Sequence, residues 1–92
     1  MARLRRVRDG AGDEGSSIEA IRLDENGKPE YKKTDRPIVG WALRVGSPIA
    51  RTYSQQDWWM TTLVTEIVEQ VENEEELYVK FRTGNSLYEF WR

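Results

Sequence analysis

The chain has 92 residues, enough for one compact domain with a thin core and not for two. Charged residues make up 33% and the net charge is −2, a balance that suits a well-hydrated surface and does not by itself mark a nucleic-acid binder. There is no Cys and no His, which excludes disulfides, thiolate nucleophiles, imidazole bases and the usual zinc, copper and haem ligand sets.

Residues 1–16 read as a disordered basic and polar arm. Arg3, Arg5, Arg6 and Arg8 cluster at its start, and residues 9–16 are Gly, Asp, Glu and Ser with one Ala. Such a segment offers little apolar surface to offset its ordering entropy. It follows its charges with no apolar stretch, so it does not resemble a secretory signal, and no apolar run approaches the about 18 residues of a membrane helix. The expectation is a cytoplasmic protein with no membrane contact.

Residues 17–36 read as a peripheral hairpin and linker. Asn26-Gly27 separates Ile18–Leu23 from Pro29–Lys32, and Asn-Gly is the residue pair a type I′ turn favours. The apolar alternation is poor here, and Ser16 with Glu19 also matches a helix capping box. Arg36-Pro37 then opens the main domain, residues 37–92. Val39, Trp41, Leu43 and Val45 share one face of an alternating segment, which makes Trp41 a core residue. Gly46-Ser47-Pro48 is a turn, Ile49–Tyr53 a short strand, and Ser54–Asp57 a polar loop leading into Trp58-Trp59.

Thr61–Glu72 carries Leu63, Val64, Ile67, Val68 and Val71 at helical spacing. Seven of the eleven residues from Thr61 to Val71 are nevertheless β-branched, which costs side-chain freedom in a helix. A bent strand buried partly on each face gives the same mixed pattern, so a strand is predicted, with a helix as the rival. Leu77–Thr83 alternates, Gly84-Asn85 makes a two-residue turn, and Ser86–Arg92 returns. This closure sets Tyr78 opposite Trp91, Val79 opposite Phe90, Lys80 opposite Glu89 and Phe81 opposite Tyr88. The fold class is therefore mostly β: about five short strands in a small barrel or sandwich, with the N-terminal hairpin at its periphery.

No residue set here suggests chemistry. A Ser or Thr nucleophile would have only carboxylates and four lysines to activate it. Glu72, Glu74, Glu75 and Glu76 lack the Asp, Asn and Gly offsets of a cation loop and read as a solvated turn. Gly10, Gly12 and Gly15 follow no strand and open no helix, so they are no phosphate loop. No catalytic residue, cofactor or metal is expected.

Binding is the remaining class. Tyr53, Trp58 and Trp59 flank the polar loop, and adjacent Trp residues in a strand point to opposite faces unless a bulge intervenes. From Ile49 to Asn85 the order of features resembles a Tudor domain, an SH3-like barrel. Ala50–Ser54 and Trp58-Trp59 are similar to that family's first two strands, Val64–Ile67 to the approach to its third, and Lys80–Asn85 to its Phe-x-Asp-Tyr-Gly-Asn ending. The resemblance implies that Tyr53, Trp59, Phe81 and Asn85 stand where the family builds an aromatic cage for methylated Arg or Lys. Only Arg82-Thr83 separates Phe81 from Gly84, so one residue and the cage tyrosine are missing.

The leading expectation is a non-enzymatic module that recognises a protein or peptide through Tyr53, Trp58, Trp59, Phe81 and Asn85. One alternative is nucleic-acid binding, with Arg3, Arg5, Arg6 and Arg8 on phosphates and exposed aromatics on bases. A second is a structural subunit that self-associates into a homo-oligomer through the same surface.

Overall fold

A computed structural model describes residues 2–46 and 58–92. Among these residues eight strands follow one another: β1 (Ala2–Arg6), β2 (Gly12–Gly15), β3 (Ser17–Leu23), β4 (Pro29–Lys33), β5 (Ala42–Gly46), β6 (Trp58–Glu72), β7 (Leu77–Thr83) and β8 (Leu87–Trp91). All pairings are antiparallel, in one sheet ordered β2-β1-β8-β7-β6-β5-β3-β4. The mostly β expectation holds; the expected N-terminal hairpin is not separate but forms part of one sheet with the other strands. Among the described residues no helix is long and apolar enough to cross a membrane.

The C-terminal hairpin takes the register its residues dictate. Tyr78 pairs with Trp91, Val79 with Phe90, Lys80 with Glu89 and Phe81 with Tyr88. The Phe81 and Tyr88 rings stack at 5.4 Å, and the Thr83 amide donates to the Ser86 carbonyl at 2.9 Å to close the turn. Segment 61–72 is strand, as its β-branched residues predict. The 15-residue β6 serves two partners: its first part pairs with β5 and its second with β7. Register shifts between Val64 and Glu66 and between Ile67 and Glu69 produce the false helical spacing. Each bulge adds a residue, so inward positions recur at three rather than two.

The expectation of a disordered arm over residues 1–16 is overturned. β1 adds to the outer edge of β8, with Arg3 opposite Trp91 and Arg5 opposite Glu89, and turns back as β2. Gly10 takes φ +73° in the connecting loop, and the Asp9 carboxylate accepts from the Ala11 amide. Composition alone misled because Ala2 and Leu4 are few but both wholly buried. The partner that makes ordering favourable is the far end of the chain.

The second hairpin forms, but with a different turn. Asn26 has no positive φ; Gly27 does, at +78°. The Gly27 amide donates to the Asp24 carbonyl, and the Asp24 carboxylate accepts from the Asn26 and Lys28 amides. This is a three-residue loop with glycine at the left-handed position, not a type I′ turn. β3 also pairs with β5, so the hairpin continues the sheet.

The sheet is not closed, yet it bends so that β1 and β2 lie against β5 and β6. Leu4, Leu43, Val45, Val64, Val79, Phe81 and Phe90 fill the concave side. The predicted apolar face of residues 39–45 is corrected here: Leu43 and Val45 are core, but Val39 is exposed and Trp41 half-buried. Both precede β5, where Gly40 at φ +91° turns the chain. Trp41 is covered instead by the Arg22 guanidinium, 4.1 Å from its ring centre. The predicted strand Ile49–Tyr53 and loop Ser54–Asp57 lie outside the described residues.

Candidate binding surface

Alternation along β3, β4, β5 and the start of β6 leaves one set of side chains on the convex face. Tyr31, Ile21, Ala42 and Leu63 are successive cross-strand partners, forming one apolar row across four strands. The next row is Lys33, Glu19, Arg44 and Met60, followed by Ser17, Gly46 and Trp58. Leu23 is 68% exposed, Tyr31 60%, Leu63 50% and Met60 45%. Contiguous exposure of this kind is the feature that marks binding surfaces.

β5 begins only at Ala42, so beyond it no strand separates the end of β3 from the middle of β6. An open groove of about 540 Å³ lies there. Gly40 and Ala42 floor it; Ile21 and Leu23 stand on one side, Met60 and Leu63 on the other. Small residues beneath large ones make room for an inserted apolar side chain. Beside the groove the Arg44 guanidinium lies 5.7 Å from the Tyr31 ring centre and 5.6 Å from that of Trp58. Arg44 also pairs with Glu19 at 2.9 Å, which offsets its charge on this face.

The sequence-predicted site residues do not converge. Trp58 lies on the convex face. Trp59 turns to the concave side, where it packs on the core and donates to the Tyr88 hydroxyl at 3.3 Å. Phe81 is 0% exposed inside the core, so it forms no part of a surface. Asn85 is exposed in the turn before β8. Tyr53 lies outside the described residues. Sequence reasoning missed Ile21, Leu23, Tyr31, Met60 and Leu63. Their signal was the poor alternation of β3, which has Ile18 and Ala20 on the concave side and Ile21 and Leu23 on the convex one.

The arginines are built into the fold. Arg6 binds Asp9 through two hydrogen bonds at 3.0 and 2.6 Å and lies 5.1 Å from the Trp59 ring centre. The Asp9 carboxyl is held down at about 2, first by Arg6 and then by the Ala11 amide. Arg5 pairs with Glu89 at 2.6 Å, and Arg3 and Arg5 both stand over Trp91, at 5.5 and 5.4 Å. Arg8 is exposed. Glu89 also accepts from the Tyr78 hydroxyl at 2.7 Å, and Arg5 followed by Tyr78 holds its carboxyl below the usual range. Burial, with the bond to Glu89, pushes Tyr78 up to about 12.

The acidic run is accounted for locally. Glu72 pairs with Arg36 at 2.9 Å, and the Asn73 side chain accepts from the Glu75 and Glu76 amides. Among the described residues no cluster of acidic side chains is arranged to hold a metal ion. No known protein family, curated protein or solved structure matches the chain.

Proposed function

We propose that this protein is a non-enzymatic binding module, and that its ligand is a protein or peptide segment presenting an apolar side chain to the convex face. The observation that carries this reading is the groove between Leu23 and Leu63, floored by Gly40 and Ala42 and flanked by Tyr31, Arg44 and Trp58. It keeps the expected class of ligand and moves the surface, retaining only Trp58 of the predicted aromatic set among the described residues. The curled β5–β8 meander supports relating the fold to small SH3-like barrels. The nucleic-acid alternative draws less support, because Arg5 and Arg6 are committed to Glu89 and Asp9.

Selection from a random peptide display library tests the reading. Enriched peptides should share an apolar anchor, and Leu63→Glu should weaken them by at least about tenfold while leaving thermal stability nearly unchanged. Peptides that bind wild type and Leu63→Glu equally well, or a selection that enriches nothing, would remove the groove as the site.

A further inference from the structure

Among the described residues β4 has no neighbour on its outer side. Its ladder with β3 is framed by the Asp24 amide donating to the Lys28 carbonyl at 2.8 Å and the Thr34 amide donating to the Ile18 carbonyl at 3.3 Å. Backbone groups alternate in an antiparallel ladder, so Glu30 and Lys32 bond inward to β3. Pro29, Tyr31 and Lys33 therefore turn their backbone groups to the open edge. Pro29 fits there because it has no amide to leave unpaired.

We propose that this edge pairs with β4 of a second copy, antiparallel about a two-fold axis through Tyr31. In that register the Tyr31 amides and carbonyls bond reciprocally, and each Lys33 amide reaches the Pro29 carbonyl of the other copy. Glu30, which also accepts from Arg22 of its own chain at 2.9 Å, then lies opposite Lys32 on both sides of the axis, at the close-approach positions of the ladder. Sliding by one ladder step puts Glu30 opposite Glu30, and sliding the other way puts Lys32 opposite Lys32. Both alternatives oppose like charges, so the sequence Pro-Glu-Tyr-Lys-Lys favours the first register over its neighbours. The same pairing joins the apolar row of one copy to that of the other through adjacent Tyr31 rings. The pairing goes beyond the binding-module reading and does not need a ligand in the groove.

The experiment is sedimentation velocity of the full chain across protein concentration, with amide exchange read alongside. A five-residue edge is a small interface, so the dimer fraction should rise gradually with concentration. The Tyr31 and Lys33 amides should gain protection in parallel. Glu30→Lys and Lys32→Glu should each weaken association by about tenfold or more, since each opposes like charges at two symmetric places. Their equimolar mixture should restore it, because the cations of the first variant then face the carboxylates of the second on both sides of the axis. A chain that stays monomeric, variants that associate like wild type, or a mixture that does not recover would each overturn the pairing. Leu63→Glu leaves β4 intact and should associate normally, so a failure of the groove and a failure of the edge are separable.

Discussion

Trp59 packs on the core, donates its indole N–H to Tyr88 and carries the Arg6 guanidinium over its outer ring face. Trp58, one residue earlier, points to the other face of the strand, with Arg44 against its ring. Truncation should separate them. Trp59→Ala removes a half-buried indole and its hydrogen bond to the Tyr88 hydroxyl, an expected cost of about 2–4 kcal/mol. Trp58→Ala removes convex-face contacts alone and should cost under about 1 kcal/mol. Denaturant unfolding of the two variants measures the difference, and equal midpoints would contradict this facing. Sequence reasoning put Trp41 in the core and Trp59 on the surface. Both placements fail because each depends on where its strand begins or bends.

β1 is the element whose status changes most. Its alternation of Ala2 and Leu4 inward with Arg3 and Arg5 outward is that of a half-buried strand, though only five residues long. Leu4 is 1% exposed. Leu4→Ala should therefore cost about 2–4 kcal/mol, whereas in a mobile tail it would cost nothing measurable. Amide exchange at Arg3 to Arg6 should be slow to a comparable degree, since β1 pairs with both β2 and β8. β6 makes the complementary point. Its β-branched residues identify it as a strand, and its bulges let one strand serve both parts of the bent sheet.

Carboxylates across the molecule share one electrostatic design. Asp9, Asp35, Glu72 and Glu89 all have pKa values below their ordinary positions, each with an arginine hydrogen bond as the first cause. A lowered folded-state pKa means the unfolded chain binds more protons in the window between the two values, so the stabilisation is present above the ordinary carboxylate range. It is lost as pH falls through the folded-state values, down to about 2 for Asp9. Tyr78 has the opposite sign. Its contribution is complete below pH 10.0 and is lost as pH rises to about 12. The melting temperature should therefore be flat through neutral pH, fall below roughly pH 4.5 and fall again above roughly pH 10. Tyr78→Phe should remove part of the alkaline decline. Because the Tyr78 hydroxyl also helps hold Glu89 down, it should shrink the Glu89 share of the acid limb and leave the shares of Asp9, Asp35 and Glu72 in place.

The terminal hairpin, the strand character of β6 and the absence of disulfides could all be read from the residues, because local alternation, turn length and composition settle them. A two-residue turn admits one register, and the side chains then fall into place. The arm, the second face of β3 and the position of Trp41 could not be read that way. β1 is ordered by β8, with Arg5 and Glu89 separated by 84 positions, and nothing in residues 1–16 announces that edge. Apolar residues on both sides of β3 leave its inward face ambiguous until β5 and the bend of the sheet supply a concave side. The groove exists because β5 starts late, at Ala42, and that start is set by the Gly40 turn, with the Gly40 amide donating to the Val64 carbonyl of β6 and the Val64 amide donating to the Trp41 carbonyl. Short-range patterns specify strands and turns; long-range pairing and curvature decide which apolar side chains are buried and which stay available to a partner.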